Sequence, residues 1–527
     1  MENILSYIFL FPLLIAAVML FIRSDSTGIF KRLALAATSV QLVLSLFLFF
    51  QFDKSTVISN WADAFQFVEK IDWINMKLGS VGVLNIDYFI GVDGISMPLI
   101  ALSSLVLLIG VIASWNLTEK TKGYFILYLI LSSSIIGCFI ALDFFLFYLC
   151  FEFMLLPMFF LIGIWGGKRR SYASIKFFLY TLVGSLFILV VMIGLYLSVV
   201  EDGANTFSLI GMMNGSYSSD SFLDPASGKT IFGYSARAVA FIFLLIGFGI
   251  KLPMVPVHTW LPDAHVEAPT AISVVLAGLL LKVGAFGFFR ILYGVFPDMA
   301  VEYAGTIAII GVLSILYGGL NALAQNDLKR MVAYSSVSHM GFVLVGLASM
   351  TSEGAAGSLF HMVSHGLISP ALFIIAGVIY DRTSNRQMEN FSGLAGKMPV
   401  YTFFTALFFF AGLGLPGLSG FVGELMVLLG VFKTTSLPIW IGLLATSGIA
   451  VSAAYFLWTI QRMFFGKYFV REKEWESRMI DLDLREKLML VPLGLLVLIL
   501  GIYPRLILDV SESTINFFTQ HIANSIP

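Results

Sequence analysis

Apolar runs long enough to cross a lipid bilayer recur along almost the whole of this 527-residue chain, and nothing else in it limits the fold as strongly. A backbone in hydrocarbon must satisfy its own hydrogen bonds, and without strand alternation each run reads as a helix. Stretches of about 18 to 25 apolar residues number about fourteen. They lie near 4–22, 33–51, 91–114, 124–142, 144–165, 177–200, 237–262, 270–292, 303–323, 331–349, 359–380, 402–430, 438–464 and 488–504. The expected fold class is all-α, a polytopic membrane bundle. With 58% hydrophobic and 12% charged residues, the chain has no room for a large soluble domain. A net charge of -1 leaves no electrostatic footprint for nucleic acid. The first run, Ile4 to Ile22, lacks a basic leader and a small-residue cleavage site, so it reads as a retained helix.

Loop charge orients the bundle. With the N-terminus outside, 21 of the 31 lysines and arginines fall in inside loops, among them Arg169, Lys176, Arg386 and Arg471. The bias predicts both termini on the non-cytoplasmic side. The spans divide into an N-terminal part, 1–123, two five-helix blocks, 124–292 and 303–464, and a last part, 465–527, holding a cytoplasmic loop, a final helix and a short end. A block with an odd number of spans must re-enter the membrane in the opposite sense when repeated, so a repeat here would be inverted. Two unrelated proline kinks are the plainer account of the same spacing.

The fourth member of each block is broken by proline and carries a charge. GFGIKLPMVPVHTWLPDAH puts Lys251 two residues before Pro253, and GLGLPGLSGFVGEL puts Glu424 eight residues after Pro416. Proline removes backbone hydrogen bonds and a buried charge is expensive, so both are tolerated where protein or water meets the freed groups. Glu152, five residues before Pro157, has no opposite charge three or four residues away; Lys251 is its natural partner on another helix. Lys282 is likewise alone on its helix. Isolated structural ion pairs would also explain such residues, but intramembrane charges default to function. Desolvation disfavours the charged form of either residue type, which favours reversible titration. Separating a carboxylate from a lysine then promotes proton release, and approach promotes uptake.

Histidines supply intermediate sites. His258 would lie two turns beyond Lys251 on the same face if the helix resumed after its prolines. His339 and His365 fall in successive spans, with Ser335, Ser336, Ser338 and Ser364 able to hold water. His361 stands one turn before His365, yet without a third ligand the pair predicts no metal. Asp263, His265 and Glu267 read as a solvated turn between helices, with an ion entrance as the alternative. Gly412, Gly414 and Gly417 spell GxGxxG inside an apolar span with no preceding strand, so a dinucleotide site is excluded. Cys138 and Cys150 are too few for an iron–sulfur cluster and predict no disulfide. The charged run Arg471 to Lys487 reads as a solvated loop able to dock a neighbour.

HTWLPDAHVEAPTAISVVLAGLLLKVGAFGFFR, NDLKRMVAYSSVSHMGF, FEFMLLPMFFLIGIWG and GLPGLSGFVGE together resemble the antiporter-like subunits of NADH-quinone oxidoreductase, respiratory complex I, in their subunit M branch. The resemblance spans nearly all the runs. It implies fourteen helices with two inverted five-helix repeats, and proton translocation driven by NADH-to-quinone electron transfer in other subunits. It assigns Glu152 and Lys251 to a first half-channel, Lys282 to the central connection, Glu424 to the second half-channel, and His258, His339 and His365 to the relay between them. Glu424 is the discriminating position, because sister subunits L and N usually carry lysine there. The resemblance also implies that NADH, FMN, iron–sulfur clusters and quinone belong to other subunits, that this chain holds no cofactor or metal, and that its partners are L, N and the lipid bilayer. It points to a bacterial inner membrane. A multisubunit sodium/proton antiporter, a membrane-bound hydrogenase and a non-pumping scaffold are the competing readings.

Overall fold

The computed structural model describes residues 3–77, 83–201, 203–231 and 233–525. Its principal helices are α1 (Ile4–Leu20), α2 (Thr27–Gln51), α3 (Ser96–Ala113), α4 (Thr121–Ile140), α5 (Phe144–Phe153), α6 (Leu155–Trp165), α7 (Arg170–Tyr196), α8 (Ala236–Lys251) and α9 (Trp260–Glu267). There follow α10 (Thr270–Tyr293), α11 (Ala304–Leu323), α12 (Leu328–Ala348), α13 (Ser352–Thr383), α14 (Pro399–Gly412), α15 (Ser419–Lys433), α16 (Ile439–Phe464), α17 (Leu484–Ile502) and α18 (Arg505–Ala523). Among the described residues ten helices are long and apolar enough to cross a membrane: α2, α3, α4, the α5–α6 pair, α7, α10, α11, α12, α13 and α16. α1 and α14 are shorter apolar helices, and α17 and α18 meet at a 65° bend. The chain is a multi-pass integral membrane protein.

Several apolar runs are not the single helices their length suggests. The run at 237–262 is α8, an unwound stretch and α9; the run at 402–430 is α14, a turn and α15. Proline explains both, through its missing N–H and its clash with the preceding turn. The last run begins earlier than its apolar residues, because Asp483 and Glu486 form a reciprocal capping box at the start of α17.

Two elements depart from the sequence expectation. The segment before α3, expected as loop, is an antiparallel hairpin of β1 (Gln66–Lys77) and β2 (Val83–Val92). Its Glu69 accepts hydrogen bonds from the amides of Leu5 (3.0 Å) and Ser6 (3.3 Å), occupying donors left free at the start of α1. The expected short end after Arg505 is instead α18, whose Ile507, Val510, Ile515, Phe518 and Ile522 form a buried stripe at helical spacing. Ser513 Oγ donates to the Lys54 carbonyl at 3.3 Å, and Phe517 packs edge-on to Trp61.

The charged run Arg471 to Lys487 keeps most of its charged side chains exposed, as expected of a solvated loop, and the 465–483 loop is also strapped to its own chain. Phe469 and Val470 pair with Ser392 and Phe391, and Asp481 accepts from the Val400 and Tyr401 amides at 2.8 Å each. Arg382 makes two 2.9 Å bonds to Glu486 beside it.

α10 and α13 are enclosed by protein along their apolar lengths, and α12 nearly so. Glycines bring them together. A Cβ at Gly278 of α10 would strike Pro370 of α13, and one at Gly366 of α13 would meet the Gly278 carbonyl. On another side of α10, Gly284 lies against the backbone of Lys251 and Leu252. Small residues therefore set the distance from α10 to the broken helix α8 and to the unbroken α13.

Candidate functional site

Around the first break, freed backbone groups find new partners. Residues 252–259 are not helical. The Ile250 carbonyl accepts from Trp260 Nε1 at 2.9 Å, and the Val255 amide donates to Ser314 Oγ at 3.0 Å. Such rescue is what lets irregular backbone persist at membrane depth. Lys251, the last residue of α8, is buried; its Nζ donates to the Phe151 carbonyl at 3.1 Å and sits 3.4 Å from the Phe151 ring centroid. At the C-terminal end of a helix its charge also meets the favourable end of the macrodipole.

Glu152 is the neighbour of Phe151, but it does not pair with Lys251. It is half-buried, its Oε1 has no partner, and no ion pair joins it to the lysine. The lysine is held instead by the carbonyl and ring of the preceding residue, where α5 gives way to α6. Glu152 thus stands beside Lys251 and not in contact with it.

Lys282 lies in an α-helical turn between two π-helical segments of α10, Leu276–Leu280 and Phe288–Tyr293. Wider turns of this kind often accompany functional sites. Its Nζ donates to the Ala277 carbonyl at 2.8 Å and lies 2.6 Å from His365 Nδ1. An ammonium has no acceptor, so this short contact places the imidazole lone pair on Nδ1 when the lysine is charged.

From His365 the ionisable groups continue across α12 and α13. The His339 ring lies 5.6 Å from that of His365 and 5.4 Å from that of His361, centroid to centroid. His339 Nδ1 stands 3.7 Å from Glu424 Oε1. A cavity of about 10 Å³, bordered by Ser335, Ser364 and the three rings, lies among them. That is about the room one water needs, with polar groups on its wall. Ser364 Oγ contacts Ser419 Oγ at 2.7 Å, joining α13 to the start of α15.

The second break sets the position of Glu424. Gly414 and Gly417 have φ of 78° and 92°, conformations that suit residues without a Cβ. A Cβ at Gly414 would also collide with Oε2 of Glu424. The GxGxxG spacing is therefore a turn that brings the chain back onto a buried carboxylate.

His258 does not extend the face of α8, because no helix resumes between Lys251 and Trp260. Its ring lies edge-on to Tyr317 at 5.2 Å, turned toward α11, with no hydrogen bond or ion pair to Lys251 or Lys282. His265 is not solvated either: it is wholly buried, stacked on Phe373 at 4.3 Å, with neither ring nitrogen partnered. Its neighbours do form the expected polar turn, Asp263 pairing with Lys176 at 2.7 Å and Glu267 accepting from the Arg169 amide at 2.8 Å. Cys138 and Cys150 are buried free thiols. His361 joins the cluster although the sequence marked it only as half of a metal pair; its spacing from His365 was the signal.

Thus Lys282, His365, His339 and Glu424 form one contiguous series, Lys251 adjoins it through Gly284, and Glu152 and His258 stand beside rather than within it. Residues 141–450 match the family model described as NADH:quinone oxidoreductase/Mrp antiporter, TM, and residues 64–142 match NADH-ubiquinone oxidoreductase chain 4, amino terminus. NADH-quinone oxidoreductase subunit M of Rhodobacter capsulatus is 40% identical over 530 residues, covering 99% of this chain and 97% of that one. A chain of respiratory complex I from Thermus thermophilus superposes with a TM-score of 0.81 at 27% identity, covering 98% and 99% of the two chains. A chain of the Mrp complex from Dietzia sp. DQ12-45-1b shares the fold, with a TM-score of 0.79 at 20% identity and coverage of 98% and 99%. The chain belongs to the subunit M family of NADH-quinone oxidoreductase, within the antiporter-type membrane subunits.

Proposed function

We propose that this chain carries protons across the membrane as a subunit of NADH-quinone oxidoreductase, with Glu152 and Lys251 serving one half-channel, Lys282 the centre and Glu424 the other half. The observation that carries the reading is the buried series Lys282, His365, His339, Glu424, with polar contacts of 2.6 Å and 3.7 Å at its two ends and ring centroids 5.6 Å apart between them. Charges so deep are costly, and where they persist they mark a path for ions or protons by default. His339 and His365 relay between the central lysine and the terminal glutamate, and His258 lies toward the second block beside Tyr317.

Lys251 is the switchable element. Its ammonium is held by the Phe151 carbonyl and ring, so a change at the α5–α6 junction alters its proton affinity directly. Movement of the adjacent Glu152 carboxylate toward the ammonium favours proton uptake, and movement away favours release. Electron transfer in the other subunits supplies the driving energy, and NADH, FMN, iron–sulfur clusters and quinone reside there. This chain then needs no redox cofactor.

The finer architecture follows the same reading. The short helices α1 and α14 and the pieces α8, α15 and α17 complete a fourteen-span bundle with inverted repeats at 124–292 and 303–464. The N-terminal part is 1–123 and the last part 465–527. Both termini lie outside a bacterial inner membrane, and the sister subunits L and N are neighbours. The direct test replaces Lys282 with Met in the whole complex and follows NADH-driven proton uptake in membrane vesicles. Uptake should collapse at unchanged complex content; unchanged uptake per NADH oxidised refutes the assignment. A sodium/proton antiporter role would leave transport independent of NADH, and a scaffold would leave it intact.

A further inference from the structure

The relay just proposed uses His365 and His339 and leaves His361 without a task. Yet His361 is 2% exposed, and neither of its ring nitrogens makes a hydrogen bond of good geometry, the His339 backbone being the polar group beside it. A buried imidazole so poorly partnered loses hydrogen bonds it would make in water, so packing alone is a poor account of it. Its surroundings are specific. The ring lies 5.4 Å from His339, centroid to centroid, and borders the same water-sized cavity as His339 and His365. Phe342, at 5.8 Å, closes another side. Gly423 lies so near that a Cβ there would come within 2.9 Å of the His361 Cβ and 3.0 Å of its Nδ1. Gly423 directly precedes Glu424, so the absent side chain seats this imidazole against the turn of α15 that carries the terminal carboxylate.

We propose that His361 is a second proton carrier between Lys282 and Glu424, parallel to His339. His365, one helical turn away on the same face, can then pass a proton through the cavity to either ring. A neutral imidazole has one lone-pair nitrogen to accept the proton and one N–H to give up, so each transfer leaves the ring neutral in the other tautomer. The series thereby branches after His365 and rejoins at Glu424. The inference rests on the proton-translocating reading above.

The test is a double-mutant cycle in the intact complex, with His339→Asn, His361→Asn and both together, each assayed for NADH-driven proton uptake in vesicles. Parallel carriers compensate for one another, so each single variant should keep substantial uptake. The double variant should fall at least about fivefold below the product of the two single losses. A double effect equal to that product overturns the proposal. Complex content on native gels corrects for assembly, and His361→Gln repeats the cycle if the asparagine variant assembles poorly. Glu424→Gln, run alongside, separates the two levels: full uptake there means that the underlying reading has failed. Lost uptake there, with a merely multiplicative cycle, means that only His361 was misassigned.

Discussion

A carboxylate and an ammonium at membrane depth cost free energy for different partners, and their near-isosteric neutral replacements therefore report charge rather than shape. Glu424→Gln should lower NADH-driven proton uptake about tenfold or more, in line with the loss of a positioned proton-transfer group, while the complex assembles normally. Glu424→Lys should retain part of the uptake, since an amine in the same buried place can also take up and release a proton. A packing role inverts the order, because Gln preserves volume and the longer cation does not. Glu152→Gln should also reduce uptake, and Glu152→Asp should do so less, because charge survives with a shorter reach. Equal effects of Gln and Asp would remove the electrostatic role of Glu152 toward Lys251. The ionisable residues were legible in the sequence because charge in an apolar run needs no structure to be noticed. Their pairing was not: Lys251 takes the Phe151 carbonyl, not Glu152, and that choice depends on where α5 ends. His265 was misread for a similar reason, since the apolar wall that buries it is Phe373, more than a hundred residues later in the chain.

Breaks in helices position these side chains, and the glycines of the second break divide the work. Gly414 and Gly417 both have positive φ, so alanine at either should cost about 1–2 kcal/mol through the backbone. They differ in what a methyl group would touch. At Gly414 it meets the Glu424 carboxylate, whereas at Gly417 it meets nothing within 4 Å. Gly414→Ala should therefore lower both thermal stability and proton uptake, while Gly417→Ala lowers stability and leaves uptake per complex near normal. Equal uptake in the two variants would show that the turn does not set the carboxylate's position. At this scale the sequence revealed where helices break, because proline acts locally. It hid the hairpin β1–β2, whose strands mix polar and charged residues with apolar ones and whose anchoring Glu69 bonds to a helix start some sixty residues away. It also hid α18, whose apolar residues are too sparse for a membrane run and become a stripe only when wound at helical period.

Across the whole molecule, the two faces of the bundle carry different furniture. Glu69 of the hairpin bonds the start of α1, and α18 lies by Lys54 and Trp61 just before that hairpin. The opposite face holds the strapped loop 465–483 and the basic residues Arg169, Lys176, Arg382 and Arg386. Positive charge in short loops resists translocation, so that basic face should be cytoplasmic. Ser477 and Ser218 are both exposed, the first in the strapped loop and the second in the segment between α7 and α8. Cysteine placed at Ser477 should react with a membrane-impermeant maleimide in inverted vesicles and not in intact spheroplasts. Cysteine at Ser218 should show the reverse, and the natural Cys138 and Cys150, being buried, should contribute little background. If Ser477→Cys labels from outside, the bundle is inverted, and the half-channels ending at Glu152 and Glu424 would open to the opposite compartments from those the charge bias assigns. If both positions label from one side, an even number of crossings separates them in place of the expected odd number, and the fourteen-span count fails.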